Sequence, residues 1–210
     1  MSIKKLISIS SNPLSSEPVK LAPIDVPQAG TLANELISLL SQKNGFYAFE
    51  GALHIFPASS PEDEMNLISW NDQDLWISHY KGLAEGCLFF AEDIFGGQFC
   101  IKDNKIFIFD PETGDFEDFA DDFSGWAEEI LGDYNTITGY PLAHQWQVKN
   151  GKLADSQRLM PKIPFVCRGE FSVENLTAIN AVSGMRSRGN LAHQIHNLPD
   201  GAQIKFNIID

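Results

Sequence analysis

From residue 86 onward, short apolar runs alternate with turn residues, the pattern of an antiparallel sheet. "CLFFA" (87–91) and "GQFCI" (97–101) read as successive strands, and "IFIFD" (106–110) follows the "KDNK" turn. "PETG" (111–114) has the proline that a type I turn favours, so "DFEDFA" (115–120) is a further paired strand. Ile106 and Ile108 share one face of their strand while Phe107 and Phe109 share the other. A strand apolar on both faces is covered on both sides, which predicts that this one runs through the sheet centre. Asp122 then N-caps a helix whose stripe is Phe123, Trp126, Ala127, Ile130 and Leu131.

Residues 1–28 hold four prolines and six serines without sustained periodicity, predicting an extended or partly disordered lead-in. Thr31 can cap a helix carrying Leu32, Leu36, Leu39 and Leu40, with Gly45 as its stop. "FYAFEGALHIF" (46–56) reads as extended chain ended by Pro57, and "SSPEDEMNLISW" (59–70) as a turn and short helix. Further on, "PFVCRGEF" (164–171) gives a strand. Ser172 then caps a helix through Leu176, Ile179, Val182 and Met185, interrupted near Ser187 to Asn190 before "LAHQI". "NLPDG" is a turn, and "AQIKFNII" (202–209) alternates as a closing strand. The divisions are a lead-in (1–28), a core (29–136) and a C-terminal strand-helix-strand extension (137–210) packed on the same domain.

A hydrophobic content of 43% over 210 residues is enough to build one sizeable core. No apolar run approaches the roughly 20 residues that cross a bilayer, and serines break the first apolar stretch short of a secretory signal. A cytoplasmic protein with no membrane partner is expected. Cys87, Cys100 and Cys167 form no CxxC pair, and all three read as structural. The net charge of −13 is uneven: residues 1–160 carry 24 acids against 10 bases, and residues 161–210 carry 4 against 5. Ten acids and no base lie between Asp110 and Asp133. Such a surface repels nucleic acid and steers toward a basic partner, although it also serves as a solubilising face.

The stretch "AEDIFGGQ" poses the chemical question. Gly96-Gly97 leads into a strand with no lysine before Lys102 and follows two carboxylates, the opposite of a phosphate cradle. Glu92 and Asp93, adjacent in extended chain, point to opposite sides and make an awkward acid–base pair. The four residues Glu92, Asp93, Gly96 and Gly97 therefore read as a structural turn between strands. From Asp110, a calcium loop fails in register, with Gly114 at its fifth position and Asp121 at its twelfth. His193 and His196 lack a nearby third metal ligand, and Arg186 and Arg188 fall on nearly opposite helical faces. No serine or cysteine sits in a nucleophile motif. No catalytic residue, metal site or cofactor is predicted.

These residues also carry a resemblance. "CLFFAEDIFGGQFCI", "IFIFDPETG" and "DDFSGWAEEIL" together resemble the SUKH superfamily, which groups bacterial toxin-immunity proteins with fungal Smi/Knr cell-wall-synthesis regulators. The match spans roughly residues 30 to 135; "GFYAFEGALHIFP" departs from the family's commoner glycine-rich turn. The resemblance implies an α+β fold, a mixed, mostly antiparallel sheet with helices packed around it, and no catalytic machinery. It further implies a protein-binding module, foremost an immunity protein that neutralises a cognate toxin with a basic effector domain such as a nuclease. Charge alone nominates Asp115, Glu117, Asp118, Asp121 and Asp122 as the partner-binding face. Two alternatives stand beside it. One is a housekeeping scaffold or regulator with several partners. The other is a ligand-binding module or hydrolase using Glu92 or Asp93, which a pocket uniting them with His79 would favour.

Overall fold

Six strands form one antiparallel meander in chain order: β1 (Phe46–Ala48), β2 (Leu53–Ile55), β3 (Leu88–Asp93), β4 (Gln98–Lys102), β5 (Lys105–Phe109) and β6 (Phe116–Ala120). The computed structural model describes residues 1–58, 65–199 and 201–202. Two further strands, β7 (Gln157–Pro161) and β8 (Leu176–Asn180), pair as a separate hairpin. The helices are α1 (Ser2–Ile9), α2 (Ala33–Gln42), α3 (Leu67–Trp70), α4 (Phe123–Gly132), α5 (Tyr134–Thr138), α6 (Tyr140–Asn150) and α7 (Ala181–Ile195). The architecture is α+β, as predicted. Among the described residues no helix is long and apolar enough to cross a membrane.

Aromatic residues cover both faces of the meander. On one side Phe89 and Phe109 meet Trp76 and Tyr80, and Trp70 packs beside Trp76. On the other, Phe90 and Phe99 meet Phe123 and Trp126 of α4. Phe89 and Phe90, consecutive in β3, serve opposite layers through the ordinary alternation of a strand, and a bulge interrupts the register between the Phe89 and Ala91 pairings. Tilted and edge-on ring pairs of this kind add about 0.5–1.5 kcal/mol each beyond their area. Two of the buried polar tips reach across the core: Trp70 Nε1 donates to Gln98 Oε1 at 2.8 Å, and Tyr80 Oη to the Pro111 carbonyl at 2.9 Å.

The sheet centre is β3 and β4, whose residues are nearly all buried; β5 lies one strand nearer the edge, with Phe107 and Ile108 only half-buried. Aromatic content on both faces mimicked centrality there. Ile106 and Phe109 enter the core, while Phe107 packs on its neighbour Phe116.

Other expectations also change. The lead-in opens with helix α1, which lays Leu6 into the core with Ile3 and Ile7 against it. Thr31 does not cap α2; its amide and hydroxyl donate to Asn104 Oδ1 instead, at 2.9 and 3.1 Å. "PFVCRGEF" is no strand but a tight loop with a single 3-10 turn at Phe165–Cys167. The helix read from Ser172 is in fact strand β8 and then α7, capped by Asn180, whose side chain accepts the Ser183 amide at 3.1 Å. Helix α7 runs unbroken through Ser187 to Asn190. The extension's first elements are thus α5, α6 and β7, and its predicted closing strand lies outside the described residues beyond Ala202.

Asp122 does cap α4, its Oδ1 accepting the Gly125 amide at 2.7 Å. Asp122→Ala is expected to lower stability by about 1 kcal/mol in urea unfolding, whereas Asp122→Asn keeps the acceptor and most of the stability. Equal losses for both variants would show that the cap contributes nothing.

Candidate functional site

Register places one polar row across the sheet. Tyr47 of β1 opposes His54 of β2, His54 opposes Glu92 of β3, and Glu92 opposes Gln98 of β4. Directly opposed residues share a face, so four polar side chains line up beneath the β7–β8 hairpin. From β7, Arg158 sets its Nη2 2.6 Å from Glu92 Oε1, while His54 Nδ1 lies 3.1 Å from the same oxygen. Gln98 Nε2 donates to Glu92 Oε2 at 3.3 Å. Glu92 and Arg158 are 0% and 4% exposed. Burial pushes the Glu92 carboxyl up, but the Arg158 guanidinium and the His54 and Gln98 contacts outweigh it and hold Glu92 below its ordinary value.

Glu92 is therefore not a turn residue. It is a strand residue facing inward, an electrostatic rivet between the meander and the second hairpin. Asp93, on the opposite side, does form the turn: its Oδ1 accepts the amides of Phe95 at 2.7 Å and Gly97 at 2.8 Å. Gly96 has φ +79°, and a Cβ on Gly97 would strike the Asp93 carboxylate, so both glycines are required by the bend. Arg188 of α7 donates to the Phe95 carbonyl and fixes the turn from below. His79 packs against Gly189 of α7, and among the described residues neither Glu92 nor Asp93 bonds to it. His193 lies in α7; His196 Nδ1 sits 3.0 Å from the Thr113 carbonyl and 3.3 Å from Asp115.

Partial burial pushes Asp93 up to about 7 against the two amide donors. Folded Asp93 then keeps a proton that the unfolded chain releases near the ordinary value of 3.8. The folded state binds more protons between those values, so this group's contribution to stability falls as pH rises from about 4 to about 7. Asp93→Asn retains the Oδ1 acceptor and is expected to remove that decline. Urea unfolding from pH 4 to 8 with the same slope in both proteins would contradict it.

Above the row lies a cleft of about 580 Å³ between the β1–β2 turn, α6 and residues 152–158. Its wall includes Phe49 and Glu50, both in the left-handed backbone region at φ +53° and +55°. Glu50 is held there by Tyr140 Oη at 3.3 Å and His144 Nδ1 at 2.9 Å. Tyr47 Oη donates to the Asp155 carbonyl at 3.0 Å. Among the described residues, no three His, Cys, Asp or Glu side chains gather as metal ligands.

The five acids nominated from charge lie on and beside the strand at the other edge of the sheet, with Glu117 and Asp118 on its opposite faces. Glu117 and Asp118 project from β6, Asp115 precedes it, and Asp121 and Asp122 follow; all five are exposed. Lys105 Nζ reaches Asp118 at 3.2 Å and Asp121 at 3.0 Å, a solvent-exposed network of small energetic worth. The two sheet edges differ. Along β1 the N-terminal segment covers the edge, with the Ser11 amide donating to the Tyr47 carbonyl at 2.8 Å and the Leu14 amide to the Gly45 carbonyl at 2.9 Å. On the opposite side β6 pairs, among the described residues, with β5 alone, and carboxylates lie on and beside it.

This meander followed by a capped helix is the arrangement that the comparisons with known proteins recover. Residues 30–129 match the SMI1/KNR4 family (SUKH-1) model. Residues 30–129 are thus similar to a SUKH domain. That domain takes in α2, the whole meander and most of α4. A crystal structure from Agrobacterium tumefaciens, of the protein Atu4351, is similar at a TM-score of 0.55 and 14% identity, covering 90% of this chain and 89% of that one. The likeness thus extends past the SUKH domain into the C-terminal elements, and at that identity it concerns fold alone. A comparison with curated proteins gave no match.

Sequence reasoning did not find Arg158, Tyr47 or His54. The available signal was Arg158 itself, a lone cation set within "QRLMP".

Proposed function

We propose that this protein is a non-enzymatic binding module, an immunity protein that acts in the cytoplasm by occluding a toxin domain with a basic surface. The carrying observation is the β6 edge, unpaired among the described residues, on and beside which Asp115, Glu117, Asp118, Asp121 and Asp122 all stand exposed. A toxin that grips phosphates presents cations, so an acidic inhibitor competes for that surface and associates quickly. The inner carboxylates support the same reading. Glu92 is sealed beneath Arg158, and Asp93 is occupied by backbone amides, so each has a structural task.

The test is capture from the native host with the tagged full-length chain, followed by co-expression. One basic protein recovered in equal stoichiometry, whose growth arrest the chain relieves, is the expected result. Recovery of several unrelated partners and no toxic one would overturn the immunity reading in favour of a scaffold. Turnover of a substrate that Glu92→Gln abolishes, with folding intact, would overturn the non-enzymatic reading.

A further inference from the structure

The loop at 162–175 presents apolar side chains to solvent from a rigid frame. Ile163, Val166 and Phe171 are 57%, 42% and 69% exposed. The rings of Phe165 and Phe171 stack at 3.9 Å with an interplanar angle of 5°, and both contact Phe95 of the β3–β4 turn edge-on. Soluble proteins seldom leave such a cluster uncovered without a use for it.

Its rigidity comes from Asn175. That side chain accepts the Ile163 amide at 2.9 Å and donates to the carbonyls of Ile163 and Glu170, both at 3.0 Å. The Gly169 amide closes onto the Pro164 carbonyl at 2.9 Å, and a Cβ at Gly169 would strike the Ile163 carbonyl. A loop held this firmly loses little freedom on binding, so its exposed aromatics suit an energetic anchor.

The loop is also continuous with the acidic edge. The Val166 amide donates to Glu112 Oε2 at 2.9 Å, and Glu112 belongs to the 110–115 turn that feeds β6. Exposed Asp110 and Asp115 flank that buried Glu112.

We infer that Ile163, Val166 and Phe171 form the anchor of a protein-docking surface whose acidic flank is Asp110 and Asp115. The occupant is a basic protein offering an apolar hollow rimmed by lysine or arginine. A second copy of this chain is disfavoured by charge: a two-fold contact through this patch would face Asp110 and Asp115 with their own copies, on a chain already at −13. The inference rests on the protein-binding reading above and adds where the contact is made.

The test places the photo-crosslinker p-benzoylphenylalanine at position 171 in the full chain, expressed in the native host. The control carries it at Ile24, exposed in the N-terminal segment. The expected result is a cross-link from position 171, absent from position 24, to one polypeptide identified by mass spectrometry as basic. With that protein purified, the double variant Val166→Ser, Phe171→Ser should raise the dissociation rate at least tenfold with an unchanged melting temperature. A partner that co-purifies in equal stoichiometry without a cross-link at 171, or whose dissociation the double variant leaves unchanged, overturns this surface while leaving the protein-binding reading intact. Cross-links to copies of this chain alone overturn it in favour of self-association. No co-purifying partner overturns both.

Discussion

Replacing Arg158 with alanine is expected to cost about 3–5 kcal/mol of folding stability, because it strands a fully buried carboxylate. Glu92 has no exposed surface, and Arg158 lies 2.6 Å from its Oε1. In the intact protein the guanidinium, more than His54 or Gln98, offsets the burial that would protonate Glu92. Since Glu92 is held below its ordinary value, its contribution to stability is present at neutral pH and is lost as pH falls through the carboxylate range. In Arg158→Ala that dependence reverses, because the orphaned carboxyl now favours the proton, and the variant should lose least at acid pH. The paired replacement Glu92→Gln, Arg158→Met removes both charges and should recover most of the loss. Urea unfolding of the three variants decides the matter. A loss below 1 kcal/mol for Arg158→Ala would show that the rivet between the two sheets is incidental.

The second large effect concerns association. Asp115→Lys, Glu117→Lys, Asp118→Lys and Asp121→Lys, combined with Asp122→Asn to spare the α4 cap, should slow binding to the captured toxin ten- to a hundredfold at low salt. All five positions are exposed, and among the described residues Asp118 and Asp121 have Lys105, and Asp115 has His196, as ionic partners at the surface. Dissociation should change less, because rim charges steer encounter while the anchor holds the complex. At 1 M salt, where the Debye length is about 3 Å, wild type and variant should converge. Stopped-flow traces that superimpose at low salt would remove electrostatic steering from the account.

The meander and α4 were legible because their signals are local. Apolar runs, the Gly96-Gly97 bend and the Asp122 cap each act within a few residues. The C-terminal third was misread where spacing is ambiguous. Leu176, Ile179, Val182 and Met185 recur three apart, which suits a helix, yet Leu176 lies in β8 and Met185 in α7. The Asn180 cap between them was the available boundary marker. In α1, Leu6 and its neighbours already had helical spacing, but serines hid it, and only packing against α4 makes so short a helix stable. The Glu92 rivet was out of reach for a different reason. Its cation lies on a strand of another sheet, and nothing in "FFAED" announces a partner supplied by "QRLMP". The acidic edge was legible as charge, while its position on the open side of the sheet required the strand order.

Hydrogen exchange on the chain alone and bound to the protein captured from its host tests the central claim most directly. The account predicts slowed exchange over residues 115–122 and 163–171, with the Tyr47–Phe49 wall of the cleft unchanged. Protection confined to that cleft, with the β6 edge exchanging as freely as before, would contradict it.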